Sequence, residues 1–242
     1  MNLFNRRYWR TPEGEASNLY IDMLKQPHIL IAGATGSGKS VIINGLIYTA
    51  LYNNPNHVEL VLIDPKRVEL YQYSKLPHTT AYASEPQEII TVLNNVVRLL
   101  ERRFQAMRRK GERKSSDSDV YVFIDEFADL MTTNKREALP LLCRIAQLGR
   151  AANIHLILAT QRPTRDILNG QIKVNIDARI ALRCPTAQDS RNIINQNGAE
   201  TLARYGQGYY LTPETMQPVL VDVPYIDDSE LADRVNWWLK QN

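Results

Sequence analysis

The sequence is short of cysteine, of histidine and of net charge. Cys143 and Cys184 are the only cysteines in 242 residues. They lie too far apart for a CxxC metal or redox pair, so reduced thiols in a cytoplasmic protein are expected. The four histidines, His28, His57, His78 and His155, never fall at metal-ligand spacing. No apolar run approaches the roughly 18–20 residues that span a bilayer. Met1 to Arg10 carries charge but no apolar h-region, so no signal peptide is expected. Internal repeats and long linkers are missing as well. Disordered, secreted and integral-membrane classes drop out, leaving a chain able to bury one sizeable core.

Lys plus Arg is 29 against 26 for Asp plus Glu, so the net charge of +3 names no partner. The distribution is less even. Between Glu101 and Lys114, seven cations (Arg102, Arg103, Arg108, Arg109, Lys110, Arg113 and Lys114) stand against Glu101 and Glu112. That segment is +5 and the remainder −2. It reads either as a nucleic-acid footprint or as a solvated helix end, since cations in a last helical turn are favoured without any partner. Its expected place is the edge of the phosphate-site layer.

After a polar lead-in over residues 1–27, with short strand-like pieces at 7–10 and 18–21, the pattern becomes regular. Apolar runs suited to buried parallel strands occur at His28–Ala32, Val58–Ile63, Val120–Ile124, Ile154–Ala159 and Arg179–Leu182. Helical periods fall between them, at Ser40–Tyr52, about Glu85–Lys110 and Ala138–Leu148, where Pro140 is tolerable only in the first turn. Gly206–Leu211 and Val219–Val223 read as a β-pair and Asp227–Lys240 as a closing helix. Alternation of this kind predicts an α/β fold, a mainly parallel sheet with helices on both faces, in one domain over 28–242.

The first strand runs into Gly33-Ala34-Thr35-Gly36-Ser37-Gly38-Lys39-Ser40, followed by Val41, which fits G-x-x-x-x-G-K-[ST]. Glycines let backbone N–H groups curl around a polyphosphate. Lys39 adds a point charge at the β- and γ-phosphates, and the Ser40 hydroxyl can ligate Mg²⁺. The following helix aims its positive end at the same place. ATP and Mg²⁺ are the implied ligands. Asp125-Glu126 closes the strand Val120–Ile124, 86 residues beyond Lys39. In an open α/β sheet, ligands bind outside the carboxyl ends of strands, so this pair should flank the phosphate loop. Asp125 can hold the metal and Glu126 can act as general base, although such a pair alone is often a helix N-cap. Gln161, at the end of Ile154–Ala159, is placed to sense the γ-phosphate or to orient water. Asp64-Pro65-Lys66 borders either this site or a subunit interface. Trp237 and Trp238 read as packing.

These residues together resemble the motor domain of the FtsK/SpoIIIE family of DNA translocases. The match runs through HILIAGATGSGKS (28–40), LIDPKRVEL (62–70), VFIDEFADL (122–130), GRAANIHLILATQRP (149–163), GQIKVNIDARIAL (170–182) and DSRNII (189–194). It continues weakly through 198–211. The resemblance implies a RecA-like P-loop core, assembly as a hexameric ring, and ATP-driven pumping of double-stranded DNA. By resemblance, Arg150 is the arginine finger, a guanidinium that would stabilise transition-state charge in a neighbouring subunit. Spacing alone favours a cation at a helix C-terminus. The family's channel loops match Arg162 to Asn175 and Pro185 to Arg191, which makes Arg162, Lys173 and Arg191 the expected DNA-phosphate contacts. Position 187, often basic in relatives, is Ala187, which puts the grip of the second loop in doubt.

Membrane spans, a long linker and a winged-helix domain, all carried by the large members, are missing from this sequence. An excised motor or a compact relative from a mobile element or phage fits that pattern, and a membrane-anchored or mobile-element partner fits it too. Two readings from other classes stand beside DNA translocation. One is an ATPase coupled to protein export of the type VII kind; the other is a slow nucleotide-dependent switch, which Glu126 disfavours.

Overall fold

The computed structural model describes residues 21, 23, 25–53, 55–223 and 228–240. The strand-like pieces expected at 7–10 and 18–21 lie outside these, apart from Ile21, which is buried in the core. The chain alternates strands and helices: β1 (His28–Ala32), α1 (Lys39–Asn53), β2 (Val58–Ile63), β3 (Thr79–Ala83), α2 (Pro86–Lys110), β4 (Asp119–Ile124), α3 (Phe127–Thr133) and α4 (Lys135–Leu148). It continues through β5 (Ile154–Thr160), α5 (Gly170–Asn175), β6 (Ala178–Leu182), α6 (Ala187–Ile194), β7 (Gln207–Leu211), β8 (Val219–Asp222) and α7 (Asp228–Leu239).

Eight strands form one sheet in the order β3-β2-β4-β5-β1-β6-β7-β8. The first six in that order are parallel; β7 and β8 close the edge as an antiparallel pair. This is the mainly parallel α/β architecture that the alternating pattern predicts. Both faces are covered, which explains why the strands read as continuous apolar runs. Alternate residues serve two cores. Leu30 and Ala32 join the helices α2 to α6 on one face, while Ile29 and Ile31 pack with α1 and α7 on the other.

The ends of the long helix α2 follow from local chemistry. Glu85 and Glu88 form a capping box around Pro86, and Gly111 stops the helix with φ +70, a conformation that favours glycine. Four features depart from expectation. Helix α4 begins at Lys135, so Pro140 lies inside the helix and not in its first turn. The edge strand β3 (TTAYA) is too polar to stand out, yet it pairs along β2. Helices α5 and α6 occupy parts of the two segments read as channel loops. The Trp pair is divided: Trp238 packs against the second core and His78, whereas Trp237 is half exposed.

The basic segment is also displaced from its expected position. Ser115 N–H donates to Ala151 O (2.8 Å), and the Asn153 amide donates to Ser115 O and Asp117 O (both 3.0 Å). These bonds hold it at the N-terminal ends of β4 and β5. It therefore lies at the rim opposite the carboxyl ends where the phosphate loop sits, not at the edge of that layer. One of its seven cations is structural. Arg103 is buried, donates to Ala152 O (2.6 Å) and Asn153 O (3.3 Å), and lies within 4.0 Å of Asp117 and Glu59. The other six are exposed.

The same rim depends on Gly149. A Cβ built there would come 2.5 Å from Ile154 O, 2.6 Å from Ile145 O and 2.9 Å from the His28 ring. The first two are backbone atoms and cannot give way cheaply. Gly149→Ala should therefore destabilise the protein by about 1–3 kcal/mol by overpacking. A urea unfolding curve indistinguishable from the parent's would contradict that assignment.

Candidate active site

Two geometric demands shape the loop between β1 and α1. Gly36 and Gly38 adopt φ +72 and +102. At Gly33 the demand is space, since a Cβ would lie 2.7 Å from Leu182 Cβ and 2.8 Å from Ser37 Oγ. Lys39 folds back into the loop, and its buried ammonium donates to Gly33 O (2.9 Å) and Ala34 O (3.1 Å). Burial pulls its pKa below the ordinary lysine value, while Glu126 and Asp125 work in the opposite direction. A polyphosphate in the cradle would meet a cation already desolvated and aimed. Val41 follows in the first turn of α1 and packs on the second core.

Strand order brings the other parts together. Leu158 of β5 pairs with both Leu30 of β1 and Ile124 of β4. The residues beyond the two strand ends therefore converge on those ending β5. Gly33 N–H donates to Thr160 O (3.2 Å), and the Thr35 hydroxyl donates to Gln161 Oε1 (2.7 Å). On the opposite side, Glu126 accepts from the Thr160 hydroxyl (2.7 Å) and from Gln161 N–H (3.1 and 3.3 Å). Gln161 is thus a bridge from the phosphate loop to Glu126. Glu126 occupies the N-cap position of α3, but its side chain caps nothing there. The bland reading of the acidic pair as a helix cap does not describe it.

Two neighbouring residues stood out less in the sequence. The Lys66 ammonium donates to Glu126 Oε2 at 3.1 Å. This resolves the open reading of Asp64-Pro65-Lys66: the segment borders the site. The rule that selects Asp125, a polar residue just past a parallel strand, selects Lys66 after β2 as well. Thr160, the last residue of β5, hides inside an otherwise apolar run. On the other side of the loop, Arg204 and Tyr205 approach Gly36, with the guanidinium carbon 5.3 Å from the tyrosine ring centroid.

Asp125 differs from Glu126. Its backbone N–H donates to Ile63 O (3.1 Å), but no hydrogen bond to its carboxylate occurs among the described residues. Burial, followed by Glu69, Asp64 and Glu126, pushes its pKa up to about 7, against a smaller opposing pull from Lys39. A buried carboxylate among other acids fits a cation beside it. Ser40, in the first turn of α1 with no hydrogen bond to its hydroxyl among the described residues, fits the same role. Magnesium held by phosphates needs only one or two such protein oxygens.

Arg150 follows the C-terminal end of α4, beside Gly149 and the start of β5. It is exposed, with no hydrogen bond or ion pair among the described residues. The seven residues of β5 separate it by roughly 20 Å from the phosphate-loop rim. It therefore cannot serve the phosphate loop of its own chain.

The three expected DNA contacts are not gathered together. Arg162, at the carboxyl end of β5, is ion-paired with Asp129. Lys173 on α5 and Arg191 on α6 belong to the region around Arg179, near the end of β6 remote from Gly33. There Arg179 donates to Lys173 O (2.6 Å), Ile176 O (3.1 Å) and Ile193 O (3.3 Å). Arg191 donates to Asn197 (2.6 Å) and Gln188 (3.1 Å). Ala187 is the first residue of α6, capped by Thr186. Cys143 and Cys184 are free thiols, and no helix among the described residues is long and apolar enough to cross a membrane.

The FtsK/SpoIIIE family profile matches residues 8–122 and 116–165. The DNA translocase FtsK of Listeria monocytogenes is 38% identical over 253 residues, covering 96% of this chain and 33% of that protein. That of Caldanaerobacter subterraneus is 40% identical over 240 residues, covering 94% of this chain and 34% of that protein. The chain spans about one third of the length of these relatives. Among solved structures, the pCW3 conjugation coupling protein TcpA, determined with ATPγS, superposes with a TM-score of 0.82 at 26% identity. That match covers 97% of this chain and 69% of TcpA. The cytoplasmic domain of the Thermomonospora curvata type VII secretion ATPase EccC gives 0.78 at 25% identity, covering 97% of this chain and 30% of EccC.

The Asp125 shift has a measurable consequence. A carboxyl whose folded pKa lies above its unfolded value binds more protons when folded, so its contribution to stability falls as pH rises from about 4 to about 7. Asp125→Asn removes that penalty. The melting temperature of the ligand-free protein should rise by several degrees at pH 8 and by much less at pH 4. Equal shifts at both pH values would contradict the assignment.

Proposed function

This chain belongs to the FtsK/SpoIIIE family, and from that premise we propose that it is the ATP-hydrolysing motor of a double-stranded DNA translocase, with residues 28–242 as the motor domain. The observation that carries the hydrolytic part is the Glu126 carboxylate, tied through Gln161 to the phosphate loop. In this reading ATP lies along Gly33–Val41, with Lys39 at its β- and γ-phosphates. Ser40 and Asp125 would hold Mg²⁺, which would supply charge neutralisation at the phosphates. Glu126 takes a proton from water, the water oxygen attacks the γ-phosphorus, and the bond to the β–γ bridging oxygen breaks. ADP leaves carrying those electrons, and Lys39 meets the developing charge. Gln161, bonded to Thr35, transmits the state of the loop to the base.

The opposite-rim position of Arg150 supports a role in trans. In a ring of six subunits, that rim would face the neighbour's phosphate loop, and each guanidinium would complete the adjoining site. Hydrolysis would then depend on assembly in the cytoplasm. Arg162, Lys173 and Arg191 remain the proposed DNA contacts, with Arg162 exchanging Asp129 for phosphate. Relatives at about 40% identity named DNA translocases favour DNA over protein export as cargo. The TcpA likeness favours plasmid transfer as one setting for the same motor, alongside a membrane-anchored or mobile-element partner.

Two measurements test this reading. Plasmid DNA should raise ATP turnover several-fold at low salt and progressively less as salt increases, because phosphate contacts release counterions. An unchanged rate at low salt would remove DNA as the substrate. Mixing Arg150→Ala with Lys39→Ala protein should restore part of the turnover that neither variant has alone, because one class of hybrid interface is intact. Mixtures no faster than the separate proteins at assembling concentrations would exclude a finger acting in trans.

A further inference from the structure

Glu126 is held more fully than a working base should be. Oε1 accepts from the Thr160 hydroxyl (2.7 Å) and Gln161 N–H (3.1 Å); Oε2 accepts from Lys66 (3.1 Å) and shares the Gln161 N–H (3.3 Å). Three donors meet the two carboxylate oxygens, which offer about four lone-pair sites, and one of the three, the Gln161 N–H, is shared between them. The side chain is 1% exposed. In this arrangement the Lys66 ammonium occupies a position on Oε2 where a proton from water would otherwise be accepted.

The donors are not equivalent. Thr160 is buried at the end of a central strand with neighbours on both sides, and the Gln161 N–H belongs to the backbone that directly follows it. Lys66 reaches in from a short segment after β2, and its side chain is 39% exposed. That segment is pinned at its base, where the Leu70 N–H donates to Asp64 Oδ2 (3.0 Å) and Arg67 N–H to Asp64 O (3.1 Å). Its apex, Lys66 to Val68, is exposed, with Val68 at 70%. Arg67 there adopts φ +57, an uncommon conformation for a side chain of that kind, and its guanidinium pairs with Glu85. An exposed apex therefore carries the one movable donor on the buried carboxylate.

We propose that Lys66 is a positioning residue that restrains Glu126, holding the carboxylate in a resting arrangement until displacement of the Lys66–Val68 apex withdraws the ammonium. Withdrawal of the ammonium frees that position on Oε2 for the proton of the attacking water. The link from an exposed surface to the reacting group is one side chain long. This inference rests on the hydrolytic reading of Glu126 given above.

The test is steady-state ATP hydrolysis by the whole chain with Mg²⁺ and without DNA. Lys66→Met should raise kcat several-fold with KM within about twofold of the parent, because the ammonium restrains the base and does not bind substrate. Lys66→Gln, which keeps the length and loses the charge, should move the same way. Lys66→Arg, which keeps a cation, should lie nearer the parent. Melting temperatures and ATPγS affinity identify any variant that fails to fold. A kcat unchanged or lowered in both folded Met and Gln variants overturns the restraint. Glu126→Gln separates the two claims: if it turns over like the parent, the base assignment fails. If it is inactive while Lys66→Met is no faster than the parent, only the restraint fails.

Discussion

The site depends on one strand lying between two others. Because β5 separates β1 from β4, the phosphate loop and Glu126 share no hydrogen bond among the described residues; both are bonded to Thr160, which ends β5, and to Gln161 just after it. Thr160 takes the loop through its carbonyl and Glu126 through its hydroxyl, while Gln161 takes Thr35 through its amide oxygen and Glu126 through its N–H. Parallel register sets these distances. A shift of one residue along β5 would turn the Thr160 side chain to the other face and break both connections.

That construction handles an electrostatic difficulty. Lys39, Asp64, Asp125 and Glu126 are all nearly buried, and unpartnered buried charge is expensive. The lysine is held by loop carbonyls and Glu126 by four hydrogen bonds. Asp64 takes one N–H, from Leu70, and the Asp125 carboxylate takes none among the described residues; burial, followed by Glu69, Asp64 and Glu126, pushes the Asp125 carboxyl up to about 7. The fold therefore carries under-bonded carboxylate oxygens on Asp64 and Asp125, where a nucleotide-bound cation would relieve the charge. A ligand that binds only the folded state there would recover that stability by linkage.

Much of this was legible in the sequence, and the reasons are local. The phosphate loop is contiguous and demands rare backbone freedom at Gly36 and Gly38. The buried strands advertise themselves as apolar runs, and Asp125-Glu126 stands out as charge directly after one. The rest was hidden because it is set by tertiary register. Lys66 sits 60 residues from Glu126, and only β2 lying beside β4 brings it into contact. The polar edge strand β3 and the short helices α5 and α6 lack enough length for a period to show. The basic segment at 101–114 misled on position, because its composition is silent about which end of the sheet it meets. The bonds from Ser115 and Asn153 decide that, and they place it beside the turn that carries Arg150.

The central claim is that the phosphate loop and Glu126 form one nucleotide site organised by the end of β5. A crystal structure of this chain with Mg²⁺ and a non-hydrolysable ATP analogue tests it most directly. The account predicts that Lys39 leaves Gly33 O and Ala34 O for the β- and γ-phosphates, that Ser40 and Asp125 flank the metal, and that Glu126 lies on the water side of the γ-phosphorus. A nucleotide bound away from Gly33–Val41, or a Lys39 still bonded to the loop carbonyls with the analogue present, would contradict it.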